Sequence, residues 1–287
     1  MNGEWQRIKN NSRDIIPVLE ILAGLEDDYV SACSRFEPAK YPAWALKGKN
    51  DEIHALIVNS RSTIIPVFRD LKEIPFPKFL GGYFLLKKIY SVQGLKEEVI
   101  ILEKIMSRLG KIVSDIFDYD LMEINSGQWA VDSGQNGAGS RHCPLPSVIL
   151  RKPQLVDMDA LAPLQAAYEK EEVLGRGSVF SPAASRINLS NIVANGKILA
   201  AEINGKIVGK INVNGISYTK YQVGGVYVHP DFRGKGIGRY MASAFISSLL
   251  SEGKGITLFV KKTNIAAKKL YASIGFKVRG DYRITYY

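Results

Sequence analysis

One stretch constrains this chain more than any other. From Gly224 to Ile246 it reads GGVYVHPDFRGKGIGRYMASAFI and changes character halfway. Apolar, β-branched residues run into His229-Pro230. Gly234, Gly236 and Gly238 then alternate with Lys235 and Ile237 behind Arg233, and an amphipathic run with helical spacing follows. The order is therefore strand, basic glycine loop, helix. A helix N-terminus carries unpaired N–H groups and a partial positive charge, so it attracts anions. Glycines in front of it let the backbone approach a phosphate, and nearby cations add to the attraction. The spacing excludes two familiar phosphate loops: a dinucleotide turn needs G-x-G-x-x-G, and a mononucleotide loop needs G-x-x-x-x-G-K-[ST]. For the hexapeptide alone, an ordinary glycine-rich turn is the competing reading.

Charge points the same way. The chain of 287 residues is long enough for two domains, and 46% hydrophobic with 23% charged residues is an ordinary globular composition. Residues 1–147 hold 18 Lys+Arg and 19 Asp+Glu, a net of −1, whereas residues 148–287 hold 20 and 9, a net of +11. A half this basic suits an anionic ligand, either a nucleotide cofactor or a nucleic acid; a solvated basic surface is the plainer alternative. Nucleic-acid binders interleave cations with stacking aromatics, and Lys261-Lys262 and Lys268-Lys269 are only short pairs, so no specific nucleic-acid partner is expected. Two cysteines, Cys33 and Cys143, and 3 scattered histidines give neither a disulfide framework nor metal spacing, so no metal is expected. The start, MNGEWQRIKNN, lacks the apolar run of a signal peptide, and no stretch nears a membrane span. The expectation is a soluble cytoplasmic protein.

Periodicity predicts α/β organisation throughout. In the first half a helix is expected from Ser12 to Val30, strands at 53–58, 62–68 and 82–92, a helix over Leu95–Leu109 and a strand over Ile116–Ile124. Asn125 to Ser147 is rich in Gly, Ser, Asn and Pro and reads as a linker. After it come a strand at Val148–Arg151, a helix from Asp159 through Tyr168-Glu169-Lys170-Glu171-Glu172, and a second helix opened by Ser181-Pro182. Asn204-Gly205 turns a hairpin between Ile198–Ile203 and Ile207–Val213. The strand Val223–Val228 leads into the glycine loop and a helix to Ser251. Thr257–Val260 is a strand, Asn264 caps a helix to Ile274, and Phe276–Tyr287 closes with strand. The domains read as 1–124, a linker at 125–147, and 148–287, with no internal repeat at the level of sequence.

Gly225 to Gly238 resembles the central motif of the GNAT N-acetyltransferase superfamily, Arg/Gln-x-x-Gly-x-Gly/Ala after a strand, which Arg233, Gly236 and Gly238 fit. The second half of the signature is similar too: Asn264-Ile265-Ala266-Ala267-Lys268-Lys269-Leu270-Tyr271, then Gly275-Phe276. The resemblance covers residues 148–287 and implies the GNAT acyl-CoA N-acyltransferase fold, a mixed-sheet α/β architecture. It implies acetyl-CoA as cosubstrate and an amine on a small molecule or peptide as acceptor, with no membrane partner and the oligomeric state left open. It assigns the loop amides of Arg233, Gly234, Lys235, Gly236, Ile237 and Gly238 to the pyrophosphate. Main-chain groups of Val226, Tyr227 and Val228 go to the pantetheine arm, and the Val228 amide polarises the thioester carbonyl. Asn264 and Ala267 join the cofactor contacts. Tyr271 lies seven residues, or two turns, past Asn264 and so faces the same side. The resemblance makes it the acid that protonates the departing thiolate, which suits a phenol with a pKa of about 10.

The base is where the resemblance departs from this chain. Many relatives place a carboxylate on the strand before the loop, and Tyr221-Gln222-Val223-Gly224 has none. Glu172, Glu171, Glu202 and His229 are the candidates, with Glu172 put first and a water chain as the alternative. In the first half, Tyr90-Ser91-Val92-Gln93-Gly94-Leu95-Lys96-Glu97-Glu98 repeats the order strand, glycine, helix. It resembles a degenerate GNAT copy whose Glu97 and Glu98 would repel a pyrophosphate, so no CoA is expected there. A catalytically silent acyl-CoA sensor is the rival to the enzyme.

Overall fold

The computed structural model describes residues 3–68, 74–75, 78–125, 147–175 and 178–287. Most of the expected linker, with Cys143, lies outside them. The chain forms two compact units, Met1–Leu121 with Arg279–Tyr287, and Met122–Val278. Among the described residues, no helix is long and apolar enough to cross a membrane.

Along the first half run β1 (Glu4–Arg7), α1 (Ser12–Gly24), α2 (Glu26–Cys33), β2 (Trp44–Lys47), β3 (Ile53–Ser60), β4 (Thr63–Phe68), α3 (Lys78–Leu86), β5 (Ser91–Leu95), α4 (Lys96–Arg108) and β6 (Asp115–Ile124). Along the second run β7 (Val148–Arg151), α5 (Met158–Tyr168), α6 (Pro182–Ala194), β8 (Ile198–Ile203), β9 (Lys206–Ile216), β10 (Lys220–Val228), α7 (Ile237–Leu250), β11 (Gly255–Lys261), α8 (Ile265–Ser273) and β12 (Lys277–Tyr286). Among the described residues, short 3₁₀ and π turns aside, one order appears twice: strand, two helices, three strands, helix, strand, helix, strand. Within each repeat the fourth and fifth strands are parallel, β4 with β5 and β10 with β11, while the pairs β2–β3, β3–β4, β8–β9 and β9–β10 are antiparallel.

The repeat corrects two sequence expectations. Residues 82–92 are not one strand: α3 fills 78–86, with Leu80 and Phe84 both buried at i,i+4 spacing, and β5 starts at Ser91. A short apolar run does not reveal its own period, and here the helical one wins. Nor is Tyr90–Glu98 the counterpart of the glycine loop. It is β5 running directly into α4, and by element order it matches β11 and α8. The expected helix Ser12–Val30 is two helices, joined at Leu25. The hairpin at Asn204-Gly205 forms as read, with both residues at positive φ, 49° and 77°.

Each repeat's last strand crosses into the other unit. In the first unit the order is β1-β2-β3-β4-β5-β12-β6, with β12 antiparallel to β5 from Tyr282↔Leu95 to Tyr286↔Ser91. In the second it is β6-β11-β10-β9-β8-β7, with β6 contributing Met122–Ile124. Side chains hold β12 in place. Tyr282 and Thr285 are buried, Arg283 pairs with Asp118 (2.8 Å) and Glu103 (3.2 Å), and Arg279 pairs with Asp28 (2.6 Å).

The first turn of α4 holds a buried acid. Glu98 Oε1 accepts from the Tyr29 hydroxyl (2.5 Å) and the Phe68 N–H (2.7 Å). Burial pushes its carboxyl up to about 8, against these two hydrogen bonds and with help from Asp28 and Glu97.

Two outcomes follow for this unit. Removing Arg279–Tyr287 takes out a strand that lies between β5 and β6, so amide protection in both should collapse in hydrogen exchange; unchanged protection would contradict the register. The folded Glu98 also keeps a proton that the unfolded chain releases. Stability is therefore full below the ordinary value of 4.5 and falls toward pH 8, by up to roughly 1.4 kcal/mol per pH unit. Glu98→Gln should flatten that slope in denaturant titrations at pH 5 and pH 8.

Candidate active site

The second unit's site begins where β10 leaves β11. Their parallel register covers Lys220–Val223 against Gly255–Leu258 and stops, while β10 continues along β9 through a bulge between Gly224 and Tyr227. The bulge needs its two glycines. A Cβ on Gly224 would lie 2.1 Å from Asn214 Nδ2, and one on Gly225, at φ +60°, would lie 2.0 Å from Asn212 Oδ1. A polar ladder on β9 packs against it. Asn212 Nδ2 donates to Asn214 Oδ1 (2.8 Å), and Lys210 Nζ donates to Asn212 Oδ1 and to the Gly225 carbonyl, both at 2.9 Å. The Tyr168 hydroxyl, at the end of α5, faces the Gly225 N–H and the Asn214 side chain; burial raises its pKa.

Beyond the bulge, Pro230–Phe232 makes one 3₁₀ turn and the glycine loop enters α7. Gly234 and Gly236 sit at φ +75° and +76°, with open space around a Gly234 Cβ. Among the described residues no side chain caps α7, and its first turn holds no acid. The loop thus offers uncapped amides without a competing carboxylate, as a pyrophosphate requires. Its two cations turn elsewhere. Arg233 donates from Nε to the Val228 carbonyl (2.9 Å) and from Nη2 to Glu171 (2.9 Å), over the Tyr227 ring. Lys235 returns to the Asp231 carbonyl (2.9 Å).

The acidic run after α5 is a π turn, Glu169–Val173, rather than more α-helix. Glu171 and Glu172, adjacent in that turn, meet different partners. Glu171 accepts from the Tyr227 hydroxyl (2.6 Å) and Arg233; burial raises its pKa, but these hydrogen bonds outweigh it and the net shift is downward. Glu172 accepts from Asn264 Nδ2 (3.2 Å) and lies 3.6 Å from Lys261 Nζ. Asn264 caps α8 through Oδ1, which takes the Ala267 N–H (3.0 Å). Its side chain and the Ala267 amide are therefore both engaged within the protein.

Tyr271 is buried on α8, with its ring 5.7 Å from Phe276. Burial, then Tyr168 and Glu172, push its pKa above the ordinary phenol value, so the proton stays on at neutral pH. Tyr271, Tyr168 and Glu172 thus share one environment. Glu202 is elsewhere, held by Arg151 (2.6 Å), and His229 caps the 3₁₀ turn by accepting from the Asp231 N–H (3.4 Å).

Sequence reading missed Lys210, Asn212, Asn214 and Tyr168. The signal was present as Lys-x-Asn-x-Asn on a strand, which alternation alone assigns to a solvent face; Lys210 and Asn212 are instead 0% and 1% exposed.

Residues 194–278 match the family model described as an acetyltransferase (GNAT) domain. The fold is a GNAT fold. An acetyltransferase of Pectobacterium atrosepticum is 35% identical over 82 residues, 28% of this chain and 56% of the relative, so the chain spans about half the length of that curated protein. Among solved structures, a Drosophila protein aligns over 100% of this chain and 99% of its own (TM-score 0.66, 12% identity). A tandem GNAT protein from the clavulanic acid biosynthesis pathway aligns over 98% of each chain (TM-score 0.58, 12% identity). A GNAT acetyltransferase from Colwellia psychrerythraea covers 99% and 98% (TM-score 0.53, 11% identity). At such identities the likeness is one of fold. It extends over both repeats.

An acid in the first turn of α7 should stabilise the helix and repel an anion. Arg239, exposed in that turn, tests this as Arg239→Glu. Thermal stability should rise slightly, by about 0.3–1 kcal/mol, while calorimetric affinity for CoA falls about tenfold or more. Unchanged affinity would make the loop an ordinary turn.

Proposed function

We propose that the chain is an N-acetyltransferase that moves an acetyl or short acyl group from acetyl-CoA to an amine by direct attack. The observation that carries this reading is the bulged β10 leaving its ladder with β11 and leading into an uncapped, acid-free helix N-terminus. A GNAT fold joins these features in one cleft. Acetyl-CoA supplies the acyl group already activated as a thioester.

The loop amides from Arg233 to Gly238 hold the pyrophosphate, and the main chain of Val226, Tyr227 and Val228 lines the pantetheine arm. The Gly225 carbonyl is fixed toward Lys210, so the trans peptide points the Val226 N–H the opposite way. That makes the Val226 amide, beside that of Val228, a donor to the thioester oxygen. The amine forms the C–N bond, the C–S bond breaks, and Tyr271 gives its proton to the leaving sulfur. Glu171 and Glu172 are tied to Arg233, Asn264 and Lys261, and the proton lost by the amine leaves through water. The acceptor is an amine on a small molecule or peptide. The first repeat binds no CoA. Seven residues past the α4 N-cap Leu95 stands Leu102 where the second repeat has Tyr271.

Tyr271→Phe keeps the ring and loses only the acid. CoA affinity should stay near that of the parent protein. Single-turnover acetylation across an amine panel should slow by about 10²–10⁴-fold. A mutant at the parent rate would remove Tyr271 from the mechanism; a parent protein that binds CoA but acetylates no amine would favour the sensor.

A further inference from the structure

We infer that Lys210 is a positioning residue for acyl transfer: by fixing the bulge carbonyl of Gly225 it aims the following amide at the thioester oxygen. This deepens the acetyl-transfer reading and rests on it.

The geometry singles out this lysine. Its Nζ sits in a closed compartment, with the side chain 0% exposed, and donates to one main-chain acceptor, the Gly225 carbonyl, and one side-chain acceptor, Asn212 Oδ1. Gly225 is the residue whose left-handed φ of +60° creates the irregularity in β10. Nothing in strand pairing fixes the orientation of a bulged peptide, because its groups are out of the ladder. Here Lys210 supplies that restraint, with the Tyr168 ring 5.0 Å from its Nζ. A trans peptide carries its C=O and the next N–H in opposite directions, so a carbonyl pinned toward Lys210 leaves the Val226 N–H aimed away from it.

The charge on Lys210 adds to the effect. An ammonium donor binds a carbonyl more strongly than a neutral amine does, and by polarising the Gly225–Val226 peptide it strengthens the Val226 N–H as a donor. The groups facing Lys210 are the Tyr168 ring of α5, 5.0 Å from Nζ, Glu169 of the π turn, and Asn212 of its own strand. Burial lowers the ammonium pKa to about 7, and Glu169 only partly opposes this. The protonated, stronger clamp therefore prevails below neutrality and weakens as pH rises through about 7.

The test needs no acceptor. The full-length protein is loaded with acetyl-CoA labelled with ¹³C at the carbonyl, and the thioester stretch is read by difference infrared spectroscopy from pH 6 to pH 8. In the parent protein the bound carbonyl should lie below its frequency in water and climb back as pH rises, with a midpoint near 7. Lys210→Met should bind acetyl-CoA within about threefold of the parent, since the pyrophosphate grip is separate. It should lose most of the downshift and all of its pH dependence, and single-turnover acetylation should fall by about 10²-fold, the scale of one lost oxyanion donor. A downshift that is the same in Lys210→Met and flat with pH overturns the role of Lys210 while leaving acyl-CoA binding intact. No binding of acetyl-CoA to the parent protein overturns the acetyl-transfer reading itself. Should Lys210→Met fail to fold, the parent alone decides: a bound carbonyl that keeps its frequency in water at every pH sinks the inference.

Discussion

Two demands on β10 shape the second unit. The strand must stay paired with β9 to its end, yet part from β11 after four residue pairs. A regular strand cannot do both, because its pleat offers hydrogen-bonding groups evenly to either side. The Gly224–Tyr227 bulge resolves the conflict by taking a peptide out of the ladder, and it needs glycine at 224 and 225 because Asn214 and Asn212 stand where their side chains would lie. Burying Lys210 there costs solvation, which two acceptors and an aromatic face partly offset. The fold keeps a difficult group at the point where the strand must be irregular.

The two repeats use one element order for different physical ends. In the second, the helix after β11 is capped by Asn264, whose remaining N–H groups reach Glu172, and it presents a buried tyrosine. In the first, the matching helix has no side-chain cap among the described residues, carries its own acids, and inserts Glu98 into the interior to receive the Phe68 N–H. The same place in the element order thus holds a capped helix with a buried tyrosine in one repeat and a helix with a buried acid in the other.

The sequence was most legible where a residue's backbone demand is local. Gly234 and Gly236 need left-handed φ, Asn204-Gly205 needs both residues there, and Ser181-Pro182 and Asn264 are caps; each formed where the residues placed it. It was least legible where the outcome depends on what lies opposite. Lys210 and Asn212 look solvent-facing by alternation and are buried because α5 covers that face of β9. Glu171 and Glu172 read as part of one α-helix, whereas the structure makes their segment a π turn. Residues 82–92 read as strand because six or seven apolar residues carry no period that survives end effects.

Taken by itself, the sequence determined the α/β class, the glycine loop before α7, the tyrosine two turns past Asn264 and the basic character of the second half, all properties of neighbours in the chain. Only the tertiary structure decided that β6 and β12 end in each other's units, that the loop cations are spent on Glu171, Val228 and Asp231, and that Lys210 holds Gly225. Strand pairing and buried hydrogen bonds join residues far apart in the chain, and their choice is made by which partners leave the fewest polar groups unsatisfied in the folded interior.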